Sequence, residues 1–191
     1  MKIAHLHFFG RSFPARRSFL AVIALAALLA PALVAQQPGS SSLDAQRDAM
    51  KKLAFLEGHW SGPVTIQRGP GEPLHLTQTE AVESKLDGLV LLVEGKSTGA
   101  DGSVAFSALA TIAYDEASHT YRFRAYNAGH YLDTELAVSA NGFSWSYDAG
   151  PAHIVNTMHL TEKGEWSEVT EATVGSNPPH RSMEMLLQHH Q

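Results

Sequence analysis

The sequence predicts an all-β protein: about ten antiparallel strands closed into one up-and-down barrel, with a short N-terminal helix plugging one end. Three observations predict it. The stretch Leu53 to Gly62 carries an apolar helix end through Gly58 into a strand that opens on Trp60. Beyond it the apolar period changes from 3.6 to 2 and stays there through about ten short segments. Turn signals alone separate these segments, with none of the long helical patterns that parallel crossovers need. Short loops make sequence neighbours antiparallel partners, and a meander that closes on itself encloses an interior.

The first 35 residues are set apart from the fold. They hold Lys2, Arg11, Arg16 and Arg17 and no acid, followed by the apolar run Phe19 to Ala30 and then small residues. That order is expected to be a secretory signal peptide, cut after Ala35 or, as the alternative, after Ala32. The apolar run is short for a bilayer span, which takes about 20 residues, so an uncleaved anchor is the lesser reading. Arg16-Arg17-Ser18-Phe19-Leu20 also resembles a twin-arginine signal, with Ala15 where Ser or Thr is usual. General secretion and twin-arginine export both fit, and either places the mature chain in the periplasm or outside the cell.

Composition narrows the function. The chain has no cysteine, which removes disulfides, thiol catalysis, lipobox anchoring, cysteine-type zinc sites and iron–sulfur clusters. With the leader's four basic residues gone, ten remain against 19 acids, a balance of roughly −9. Such a charge disfavours nucleic acid and anionic lipid surfaces. No stable membrane insertion is expected after leader removal. The remaining length suits one domain, a monomer or weak dimer.

Residues 36–42 are rich in Gln, Pro, Gly and Ser and are expected to form a flexible linker; the domain is placed at 43–191. Ser42 suits a helix cap, with Leu43, Met50, Leu53, Phe55 and Leu56 as the apolar stripe and Gly58 as the stop. Strand one then alternates through Trp60, Gly62, Val64 and Ile66. Gly69 to Pro73 turns it into a strand from about Leu74 to Glu83, and Leu86-Asp87-Gly88 turns that into Val90 to Val93. Gly99 to Gly102 precedes the long strand Val104 to Tyr114. The second half repeats the pattern: Tyr121 to Asn127, Tyr131 to Val138, Phe143 to Tyr147, His153 to Thr161, Glu165 to Thr173 and Arg181 to Leu187.

The helix-to-Gly-x-Trp junction resembles that of the calycin superfamily, the lipocalins and fatty-acid-binding proteins. The whole mature chain is similar to a bacterial, largely uncharacterised family of lipocalin-like barrels, distantly related to the nitrobindin-type haem barrels. The residues that carry the resemblance are Leu53, Phe55, Leu56, Gly58, Trp60 and Gly62, then Leu91 to Gly95, Tyr114-Asp115, Tyr121 to Arg124, Phe143-Ser144-Trp145 and Glu184-Met185. It covers roughly residues 45 to 188. Two departures stand out: no helix follows the last strand, and no helical lid separates strands one and two. A barrel open at one mouth is therefore expected.

Alternation assigns an interior that includes Trp60, Phe106, Phe123, Phe143, Trp145 and Met185, against which a small apolar or amphipathic ligand is expected to bind. On the same parity Gln78 and Glu80 follow Leu74 and Leu76, Glu94 follows Val90 and Leu92, Asn156 lies between Ile154 and Met158, and Arg181 precedes Met183. An inward carboxylate needs a partner, so Glu80 or Glu94 paired with Arg181 would hold a ligand head group or form a structural pair. Arg122, Arg124 and Tyr126 form a stripe like the carboxylate clamp of fatty-acid-binding proteins. Yet Tyr121 and Phe123 on the other face suit the core better, so the arginines are expected to face solvent.

Chemistry beyond binding is thinly represented. The nitrobindin resemblance implies a haem held by a histidine on the last strand, which would be His180; parity opposes it, because His180 lies opposite Met183 and Met185. No other cofactor is expected. His153 and His159 are too far apart along a strand to share a metal, and His189 and His190 read as a solvated tail. The chain holds no Gly-x-Ser-x-Gly elbow, phosphate loop or His-Glu-x-x-His. An isomerase or lyase using Glu80, Tyr126 and Arg124, a lesser alternative, needs them to converge, and their parity separates Glu80 from the other two. The leading expectation is an exported ligand-binding barrel, the alternative a structural or interaction domain with an incidental cavity.

Overall fold

The computed structural model describes residues 40–190; the expected signal peptide, both cleavage positions and linker residues 36–39 lie outside them. Helix α1 (Ser40–Met50) tightens into a 3-10 turn over Lys51–Leu56 and leads into strand β1 (Gly58–Ile66). There follow β2 (Leu74–Lys85), β3 (Val90–Thr98), β4 (Val104–Asp115), β5 (Thr120–Asn127) and β6 (His130–Val138). The meander continues through β7 (Gly142–Ala149), β8 (Ala152–Leu160), β9 (Trp166–Val174) and β10 (His180–His190). Every strand pairs antiparallel with its sequence neighbour, and β1 pairs with β10 to close the barrel. Closure leaves no sheet edge to template aggregation.

The helix-to-strand junction is decided at Gly58. Its φ of +121° is open to glycine, and a side chain there would run into the His189 ring, 2.2 Å from the Cβ position. Just before it the 3-10 turn buries Leu53 and Leu56 completely inside the barrel end. Trp60 is 3% exposed and donates from Nε1 to the Leu56 carbonyl at 2.8 Å, tying strand to helix. Tyr121 on β5 donates its hydroxyl to the Ala49 carbonyl at 2.7 Å, tying the opposite wall to α1. The helical segment thus plugs the end where β1 begins.

The last strand runs further than its apolar alternation suggested. His189 and His190 belong to β10 and pair with Trp60 and His59. His189 packs edge-on against Trp60, with ring centroids 4.6 Å apart, and His190 Nε2 lies 2.6 Å from the Ser61 hydroxyl. The expected solvated tail is instead part of the seam that closes the barrel.

Two faces were read wrongly from sequence. On β3 the inward residues are Leu91, Val93, Gly95 and Ser97, so Glu94 is exposed on the outside. Val90 to Val93 is a continuous apolar run, which has no alternation from which to read a face. On β10 the register shifts between Arg181 and Met183. That bulge turns Arg181 outward while Met183 and Met185 stay inside. Arg181 bonds Glu184 on the surface. The expected inward pairing of Glu80 or Glu94 with Arg181 is therefore absent.

Candidate functional site

A cavity of about 310 Å³ occupies the barrel interior. Its floor is the aromatic layer over the helical plug. Trp60 meets Trp166 edge-on at 5.7 Å, and Phe143 meets Trp166 perpendicularly at 6.1 Å. Trp166 and Phe143 reach the cavity, whereas Trp60 lies beneath it as part of the floor's support. The walls are apolar: Phe123 packs against Trp145 at 4.7 Å, and Trp145 stacks on Tyr147 at 5.5 Å. At the end remote from the helix the lining consists of Ile66, Phe106, Tyr147 and Met183, with Phe106 still 41% exposed. This end is the mouth.

Two polar groups of side chains interrupt the apolar wall. On β2 and β3, Ser97 donates to Gln78 Oε1, and Gln78 Nε2 donates to Glu80 Oε1 at 2.6 Å. Gly95 lies opposite Glu80 on the neighbouring strand. A Cβ there would stand 2.8 Å from Oε1 and 2.9 Å from Oε2. Glycine at this position is what lets the Glu80 carboxyl lie across the strand. On β8 and β9, Trp166 Nε1 donates to Glu168 Oε2 at 3.0 Å, and Thr170 donates to Asn156 Oδ1 at 2.6 Å. Asn156 is 5% exposed, and its Nδ2 has no hydrogen-bond partner.

The electrostatics follow from burial without a cation. Burial pushes the Glu80 carboxyl up to about 8, against the Gln78 hydrogen bond and with the help of Glu168. Burial likewise pushes Glu168 up to about 7, opposed by the Trp166 hydrogen bond. Lysine, arginine and histidine are missing from the lining residues. Loss of hydration raises a carboxyl when no positive charge compensates. Arg122 and Arg124 lie outside the barrel, where both bond Asp133, as their parity predicted. Tyr126 is also exposed.

Of the residues singled out from sequence, Gln78, Glu80, Phe106, Phe123, Phe143, Trp145 and Met185 all line the cavity. Trp60 supports its floor, and Glu94 and Arg181 are outside. Glu94 borders a solvent-open depression over β3 to β6, near Lys96, Tyr126 and Tyr131. The register shift on β10 sets His180 opposite the buried Ala172, the face that its alternation did not predict. Yet His180 is exposed at the start of the strand, and the cavity lining includes no histidine. Among the described residues no group of three or more His, Asp or Glu side chains is arranged to hold a metal. Sequence reasoning missed Ser97, Trp166, Glu168 and Thr170. The alternation Trp166-x-Glu168-x-Thr170-x-Ala172 was the signal that could have found three of them.

No protein-family model and no curated protein matches the chain. Among solved structures it is similar to the crystal structure of Rv2717c from M. tuberculosis, with a TM-score of 0.58 and 11% identity over 75% of this chain and 98% of that one. The two share a barrel fold. At this identity the likeness concerns architecture and carries no site residue across.

Proposed function

We propose that this is an exported, lipocalin-like barrel that binds a small, largely apolar molecule with a polar end, admitted through the mouth opposite the helix. The basic and apolar pattern of residues 1–35 supports export. The Gly-x-Trp junction and the ten-strand meander support the lipocalin-like assignment. One observation carries the binding reading: the Asn156 amide is buried in the wall of an apolar cavity with a donor nitrogen left unpaired. A buried amide hydrogen without an acceptor costs on the order of 1–3 kcal/mol, and a ligand oxygen would remove that cost.

The test is native mass spectrometry, with an absorption spectrum, on mature protein purified from its own envelope. The companion variant is Ala110→Phe, which fills the cavity from the wall. A retained small-molecule mass that is absent from the variant supports the reading. A Soret band would bring back haem. A bare polypeptide mass favours a structural domain with an incidental cavity.

A further inference from the structure

Among the described residues the cavity lining carries two carboxyls and none of the cations that would normally accompany them. Glu80 receives one side-chain hydrogen bond, from Gln78, and Glu168 receives one, from Trp166. A carboxylate has room for about four donors, so each keeps acceptor capacity facing the cavity. The barrel's arginines on the neighbouring faces are engaged outside, Arg122 and Arg124 with Asp133 and Arg181 with Glu184. From β10, His189 packs on Trp60 and turns to the Glu57 carbonyl. From β1 and β3, the residues paired with Glu80 are Trp60 and Gly95, neither of them charged. The one charged group acting across the cavity on Glu80 is Glu168.

Such a site has a sign. Once both carboxyls are ionised, an anionic ligand would add a third negative charge to a dry space, where like charges repel strongly. A neutral ligand gains nothing from ionising the two carboxyls. A cation supplies what the protein leaves out, and the rings of Phe143, Trp145 and Trp166 offer it π faces. Asn156 Nδ2 offers a second contact, to an acceptor on the same molecule.

We propose that the cavity receives a small organic cation: an ammonium nitrogen held by Glu80 and Glu168, an apolar body against the aromatic wall, and an oxygen that accepts from Asn156. The cavity volume of about 310 Å³ suits a molecule of roughly ten to fifteen non-hydrogen atoms, judged by the volume a water occupies. The proposal rests on the barrel being a ligand binder and names the class of ligand. Binding is coupled to protons: a cation requires ionised carboxyls, so its uptake below about pH 8, where Glu80 still holds its proton, releases protons to solvent. Affinity for a cation therefore rises with pH, by up to about tenfold per unit while one carboxyl is titrating.

The experiment compares three probes of matched shape by calorimetry on the mature chain: phenethylamine, phenethyl alcohol and hydrocinnamate. An alkylamine keeps its proton from about pH 5 to pH 9, so the pH dependence reports the protein. The expected result at about pH 8.5 is amine tighter than alcohol by tenfold or more, with hydrocinnamate weakest. The amine's advantage should vanish near pH 5 and in the double variant Glu80→Gln/Glu168→Gln, while the alcohol still binds both proteins. Equal binding of amine and alcohol at about pH 8.5, or tighter binding of hydrocinnamate, overturns the cation assignment and leaves the barrel a binder. Failure of all three probes, with a bare mass for the envelope protein, overturns the binding reading and this proposal with it.

Discussion

Replacing Glu168 by glutamine isolates what an ionisable carboxyl does inside this wall. Glu168 is 8% exposed, and burial raises its carboxyl from 4.5 to about 7. A group whose pKa is raised by folding holds its proton more tightly in the folded state. Its contribution to stability is complete below the unfolded value and is lost as pH rises through the folded one. For Glu168 that window runs from 4.5 to about 7. At about 1.4 kcal/mol per unit the loss comes to about 3 kcal/mol. Glutamine cannot ionise, yet it keeps an oxygen to accept the Trp166 Nε1 hydrogen bond.

At about pH 5, near the start of that window, where Glu168 is protonated in the folded state, wild type and E168Q should therefore unfold within about 1 kcal/mol of each other. At about pH 8 the variant should be more stable by about 2–3 kcal/mol, a melting-temperature gap of about 4–12 °C for a chain of this size. The assay is urea unfolding followed by tryptophan fluorescence, repeated at each pH unit from about 5 to 8. The quantity read is the difference between the two proteins, so that contributions common to both cancel. A difference that stays constant across this range would refute the reasoning. So would a wild type that gains on the variant as pH rises, since Glu168 would then be ionised against a partner in the folded state.

Three further outcomes follow from the same geometry. Gly95→Val places a Cβ 2.8 Å from Glu80 Oε1, so the carboxyl must move. It should cost about 1–3 kcal/mol in a denaturant midpoint and displace the Glu80 titration seen by carboxyl NMR. Trp60→Ala removes the support of the floor and strands the Leu56 carbonyl. Its cost should be about 3–5 kcal/mol, against a smaller loss for Trp60→Phe. Arg181→Ala and Glu94→Ala act on exposed side chains. Each should change stability by no more than about 0.5 kcal/mol and leave phenethylamine binding unaltered, as calorimetry would show.

Most of the architecture could be read from alternation because most of the strands keep a period of two. The helix-to-strand switch at Gly58 and the turn signals placed the start of every strand within a few residues, while β3 runs on past Val93 to Thr98. Reading failed where alternation failed. The run Val90 to Val93 is apolar on both faces, so nothing local says that Leu91 and Val93 point inward and Glu94 out. The bulge at Arg181 is invisible in sequence because an inserted residue leaves no mark on either side. His189 and His190 looked like tail because polar residues carry no apolar period, although their backbone completes the closure.

The sequence by itself determined the fold class, the position of the helix, the order of pairing and the inward face of β2 with Gln78 and Glu80. These are local properties: period, turn chemistry and the glycine that allows a sharp junction. Only the tertiary structure decided the charge of the interior. Glu80 and Glu168 lie 88 residues apart in the chain, on β2 and β9, and nothing in either neighbourhood foretells that they share a cavity from which arginine is excluded. That pairing arises because β1 and β10 close the barrel and fold the two distant strands around one space. Closure is a property of the whole sheet, and so is the electrostatic character of what it encloses.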